Sequence, residues 1–170
     1  SMCIFVCWNS FLFESLCITD YTTLFGIYKW NFGKWHVRSK KLKFYFTASF
    51  IFCFWTFDSF FNLGFSCLRF NFRGVGKSEG EFDDGLGELA DAASALDFLQ
   101  ANSPNSSGCW VIGFSFGSWI GMQLLMRRPE ISGFISVSPP ANTYDFSFLA
   151  PCPSSGLIIN GSLDHLVPPS

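Results

Sequence analysis

The chain has 170 residues, enough for one ordinary domain and little more. Hydrophobic residues make up 49% and charged residues 14%, which excludes intrinsic disorder. With 11 Lys plus Arg against 13 Asp plus Glu, the net charge is −2, and no basic nucleic-acid footprint is expected.

The 7 Cys contain no C-x-x-C pair, and only His36 and His165 could assist them, so no metal site is expected. An odd count also argues against a closed disulfide framework; reduced thiols in a cytoplasmic protein fit better.

Composition divides the chain. Residues 1–66 hold no Pro, 3 Gly, 14 of the 23 Phe and 4 of the 6 Trp. Residues 67–170 hold all 8 Pro and 12 of the 15 Gly. Turn residues recur wherever a compact chain reverses. Residues 1–53 are therefore set apart as an anomalous Phe/Trp-rich region, and 54–170 as the domain proper.

Three readings of the first region stay open: a membrane-associated segment, a divergent native one, or sequence that never evolved to fold, as a shifted reading frame would give. Phe44–Phe57 is uncharged and follows Arg38, Lys40, Lys41 and Lys43. Its 14 residues fall short of the roughly 20 that span a bilayer, and Asp58 interrupts extension to Phe65. Membrane contact through residues 44–65 is thus the weaker expectation. Ser1–Phe13 lacks the basic start of a signal peptide.

From about Gly64 the signals become regular. Ser66–Phe72 (SCLRFNF) is a β-rich run ended by Arg73-Gly74-Val75-Gly76. Asp83 and Asp84 stand ahead of Leu86, Leu89, Ala90, Ala93, Leu96 and Leu99, the face of a helix with acids at its positive end. Cys109–Ile112 is a buried strand, and Ser118–Arg128 a helix stopped by Pro129, with Met122, Leu124, Leu125 and Met126 as core. Gly133–Ser138 and Gly156–Asn160 are further strands. Short apolar strands with helical connections predict a mostly parallel sheet with helices on both faces, its active site at the carboxyl ends of the strands.

Between the second strand and its helix lies Gly113-Phe114-Ser115-Phe116-Gly117, a G-x-S-x-G motif in the context a nucleophile elbow needs. The glycines admit a sharp turn, which exposes the serine hydroxyl beside a helix N-terminus that favours negative charge. The Phe116 backbone N–H would then serve as an oxyanion donor, worth roughly 3–4 kcal/mol in a transition state. Trp110 and Trp119 flank the elbow as packing residues, and Asp145 reads as a turn residue.

Leu68–Gly85 (LRFNFRGVGKSEGEFDDG), Gly113–Ile131 (GFSFGSWIGMQLLMRRPEI) and Asn142–Pro169 together resemble the α/β-hydrolase superfamily, in particular the small bacterial dienelactone-hydrolase-like serine hydrolases. The resemblance runs from about Trp55 to Ser170. It implies a Ser–Asp–His triad, an acyl-enzyme, a small-molecule acyl substrate such as an ester, and no cofactor. Ser115 matches the nucleophile and Asp164 the triad acid, which would hold a histidine Nδ1–H. In such proteins Arg73 and Ser78 bond backbone.

Two departures stand against that pattern. The family's histidine lies on a loop tens of residues past the acid, whereas this sequence ends six residues after Asp164. His165 adjoins Asp164 and should point away from it, while His36 precedes the nucleophile, so neither suits as the base. Asn31–Ser49 also lacks the HP and GG elements that supply a second oxyanion donor. A truncated, inactive hydrolase domain is therefore expected. A non-catalytic pseudo-hydrolase or membrane-associated binding module is the alternative. Asn71–Ser78, ending in Gly-Lys-Ser, mimics a phosphate-binding loop but has Asn71 where Gly is needed and an acidic stretch behind it.

Overall fold

A computed structural model describes residues 3–8, 57–162 and Asp164. Five strands, β1 (Cys3–Trp8), β2 (Ser66–Asn71), β3 (Cys109–Phe114), β4 (Ile131–Val137) and β5 (Gly156–Ile159), form one sheet in the order β2-β1-β3-β4-β5. Every pairing is parallel. The helices are α1 (residues 57–62), α2 (Leu86–Asn102) and α3 (Phe116–Leu125).

The strands from Ser66 onward lie where β-rich runs bounded by turn residues predict them. β1 falls within the segment set apart by composition, and the sequence reading assigned no element there. It pairs on both sides: Phe5 stands beside Leu68 of β2 and beside Val111 of β3. His36 and residues 44–56 of the apolar stretch lie outside the described residues. Among the described residues no helix is long and apolar enough to cross a membrane.

Alternation along β3 divides the core between the two faces of the sheet. Val111 and its β4 neighbour Phe134 pack with Leu96 of α2 and with Ile120 and Leu124 of α3. Ile112 and its neighbour Ile135 pack on the other face with Phe60 of α1.

The buried stripe of α2 differs from expectation. Leu96 and Leu99 face inward as expected, but Leu86 is 77% exposed and Ala90 is exposed too, while Glu88 and Ala92 are buried. A carboxylate can head this stripe because backbone donors satisfy it: Asp83 N–H reaches Oε1 at 3.0 Å and Gly85 N–H reaches Oε2 at 2.8 Å. That hook fixes the helix register and turns Leu86 outward.

The turn after β2 is tied to α2 through Arg73. Its backbone N–H and Nε donate to Asp91 Oδ2 at 2.9 and 3.1 Å, and Nη2 donates to Oδ1 at 2.8 Å. Arg73 therefore bonds a carboxylate, where the resemblance implied backbone. Ser78 does donate to a backbone oxygen, that of Asn71, at 3.3 Å.

Burial pushes the Asp91 carboxyl upward, but hydrogen bonds from the Arg73 side chain and backbone, aided by its charge, prevail and hold it below the ordinary value. A depressed folded pKa gives stability that is complete above the unfolded value of about 3.9 and is lost as pH falls through the folded value. Asp91→Asn is accordingly expected to destabilise the protein at pH 7, with the deficit shrinking in acid. Urea unfolding at pH 7 and pH 3 checks this, and an equal deficit at both would contradict it.

The Gly-Lys-Ser stretch is not a phosphate cradle of the kind its sequence mimics. No helix opens at Lys77-Ser78, since α2 begins at Leu86. The donors are also engaged internally: Gly74 N–H bonds Glu79 O, Val75 N–H bonds Phe72 O and Ser78 N–H bonds Val75 O, at 3.2, 3.2 and 3.0 Å. A phosphate loop needs those groups free.

Candidate active site

Ser115 joins β3 to α3 with φ 51° and ψ −120°, in the left-handed half of the map, where few side chains go. Such a residue costs about 1–3 kcal/mol and persists only where its surroundings over-determine it. Here they do. Ser115 N–H donates to Val137 O on β4 at 2.9 Å. Its carbonyl accepts the Ser118 N–H at 2.9 Å and the Ser118 hydroxyl at 2.7 Å. Ser118 is buried, so this clamp is shielded from water. The Ser115 hydroxyl does not cap its own helix, and the residue is half-buried.

Gly113 shows why the elbow needs glycine. A Cβ there would lie 2.4 Å from Ser118 Cα and 2.5 Å from Gly117 O, both in the backbone of α3. The helix continues close to the sheet: a Cβ on Gly121 would meet Val111 Cγ2 at 2.9 Å.

Phe116 opens α3, so its N–H has no acceptor one turn back in the helix. Its ring is fixed among Phe72, Tyr144, Phe82 and Trp119, at centroid distances of 5.9, 5.6, 5.7 and 5.7 Å. Trp119 stacks on Tyr144 at 4.5 Å and donates Nε1–H to Asp145 O at 3.0 Å. The Asp145 carboxylate accepts the Ser147 N–H and hydroxyl, both at 2.8 Å, and these bonds hold its pKa down. Asp145 is thus the turn residue expected.

Sequence reasoning missed Phe82, Gly85 and Glu88 as parts of the elbow's surroundings. Phe82 leans on Phe116, and a Cβ on Gly85 would strike the Trp119 ring at 2.4 Å. Glu88 three residues after Gly85 supplies the half of a capping box that reaches back to the N-cap N–H, and that spacing was the available signal.

Strands β3, β4 and β5 end level. Phe114 stands beside Val137, and Val137 beside Ile159. Ser115 and the turn that carries Asp164 leave the sheet from this same edge, with β4 between them. Two strand spacings separate the strand ends, about 10 Å. Asp164 is half-buried, and its N–H closes a turn onto Gly161 O at 3.1 Å. His165 and His36 lie outside the described residues. Among the described residues no group of three or more His, Cys, Asp and Glu could hold a metal ion.

The sequence model for the alpha/beta hydrolase fold matches residues 47–155. An uncharacterised protein of Rickettsia prowazekii is 59% identical over 107 residues, which cover 61% of this chain and 45% of that one. A solved structure from Agrobacterium tumefaciens, a protein of unknown function and candidate alpha/beta hydrolase, is 67% identical with a TM-score of 0.65, covering 66% of this chain and 52% of its own. A serine hydrolase without lid from Xanthomonas campestris is 38% identical with a TM-score of 0.57, over 63% of this chain and 48% of its own. The chain spans about half the length of these proteins. The matched span exceeds half of these 170 residues, and the parallel sheet and the elbow after β3 agree with it: the chain belongs to the alpha/beta hydrolase fold family.

Proposed function

We propose that the protein is a serine hydrolase that cleaves ester or related acyl bonds of small molecules, in the manner of dienelactone-hydrolase-like enzymes. The observation that carries this reading is the backbone of Ser115, held at φ 51° between strand and helix. Strained polar residues on a sheet's carboxyl edge are where chemistry is found, and Ser115 is the one that stands between a strand and a helix N-terminus.

In this reading Ser115 Oγ attacks the acyl carbon while its proton passes to a histidine. The Phe116 N–H and the α3 dipole take the charge that gathers on the acyl oxygen. Asp164 accepts the histidine Nδ1–H and stabilises the imidazolium. The imidazolium then protonates the leaving group, and water, deprotonated by the same histidine, hydrolyses the acyl-enzyme. The base would come from outside the described residues. The 7 Cys of the sequence, an odd count without a C-x-x-C pair, support the cytoplasm as the site of action.

p-Nitrophenyl acetate turnover by the full-length protein tests the reading. Turnover that vanishes in Ser115→Ala supports it, and turnover indifferent to that change overturns it. The 170-residue polypeptide alone is expected to be inactive, because neither His36 nor His165 suits as the base.

A further inference from the structure

Ser115 is not the only serine held at positive φ on this edge. Ser138, the first residue past β4, has φ 46°. The two are wired alike. Ser115 N–H donates to the carbonyl of Val137, the last residue of β4. Ser138 N–H donates at 2.8 Å to the carbonyl of Ile159, the last residue of β5.

Two stepped bonds therefore run from the elbow to β4 and from β4 to β5, each from a residue just past one strand to the final residue of the next. The chain then turns to Asp164 within five residues of Ile159. Pro139 and Pro140 follow Ser138 and have no N–H that could replace it. The left-handed turn at Ser138 then leads the chain away from this bond into Pro139.

We propose that Ser138 is a positioning residue for the reaction: its left-handed backbone and N–H fix the end of β5, and through it the place of Asp164 relative to Ser115. The proposal rests on the serine-hydrolase reading above. The role belongs to the backbone, so the hydroxyl is dispensable and the conformation is not.

Glycine adopts positive φ freely, alanine less readily, and a β-branched valine hardly at all. In the full-length protein, Ser138→Gly should keep kcat on p-nitrophenyl acetate within about threefold of wild type, since misplacement and not chemistry is at stake. Ser138→Val should lower kcat roughly 10- to 100-fold, the cost of a misplacement on the order of 1 Å, with KM changed less than about twofold. A loss of packing alone would not be rescued by the residue with no side chain.

If Ser138→Val does not fold, Ser138→Ala against Ser138→Gly decides the matter, with alanine expected to be the slower of the two. Equal kcat for wild type and the valine or alanine variant would overturn the proposal. So would a glycine variant as slow as these. Should Ser115→Ala leave turnover intact, the underlying serine-hydrolase reading fails instead.

Discussion

Replacing Ser115 with Ala is expected to lower kcat/KM on an activated ester by roughly 10,000- to 1,000,000-fold in the full-length protein, while leaving its fold intact. The size follows from losing a nucleophile while its neighbours remain: such variants fall to the residual rate that oxyanion donors and binding alone supply. That range corresponds to about 5–8 kcal/mol of transition-state stabilisation. Stability should change little. Alanine keeps a Cβ, and the elbow's bonds all run through backbone atoms of Ser115: N–H to Val137 O, and carbonyl from Ser118. A wild-type melting temperature beside lost turnover separates chemistry from folding. A variant that unfolds would show that the hydroxyl supports the structure.

Gly113→Ala should give the opposite profile, with stability and activity falling together. The added Cβ would stand 2.4 Å from Ser118 Cα and 2.5 Å from Gly117 O, and neither is the end of a flexible side chain that could swing aside. The first turn of α3 has to move off β3. Ser118 carries the hydroxyl that grips the Ser115 carbonyl, so the clamp on Ser115 loosens as the helix moves. Overpacking of this kind costs about 1–3 kcal/mol, and more where backbone has to yield. Denaturant unfolding and ester turnover on the same samples check both halves. An unaltered midpoint would contradict the packing seen here.

The elbow was legible because each of its requirements has a sequence signature: an apolar strand, glycine where α3 presses on β3, and an apolar helix. The strand run from β2 to β5 was legible for the same reason, since Pro and Gly mark its boundaries. β1 was not. Cys3–Trp8 (CIFVCW) is a run of apolar and β-branched residues of the kind that fills a fully buried strand, yet it stands in a segment without proline turns to frame it. Its place depends on partners more than 60 residues away, Ser66–Asn71 and Cys109–Gly113, which no local pattern names.

The face of α2 was misjudged through Leu86 because periodicity counts apolar residues, and the stripe is headed by Glu88, whose charge is answered by backbone donors. Ser138 left no mark for a similar reason. Nothing about a serine before two prolines announces positive φ, and the partner of its N–H, the carbonyl of Ile159, lies on the neighbouring strand. For Asp164, the sequence supplied the position after a strand, and the level ends of β3, β4 and β5 supply the edge it shares with Ser115.

Covalent capture of the nucleophile tests the central claim most directly. The full-length protein, treated with a fluorophosphonate that phosphonylates activated serines, should gain the mass of one phosphonyl group. Peptide sequencing by mass spectrometry should place it on Ser115 and not on the neighbouring Ser118. No adduct, or an adduct on any other serine, would contradict the assignment of Ser115 as the reacting group.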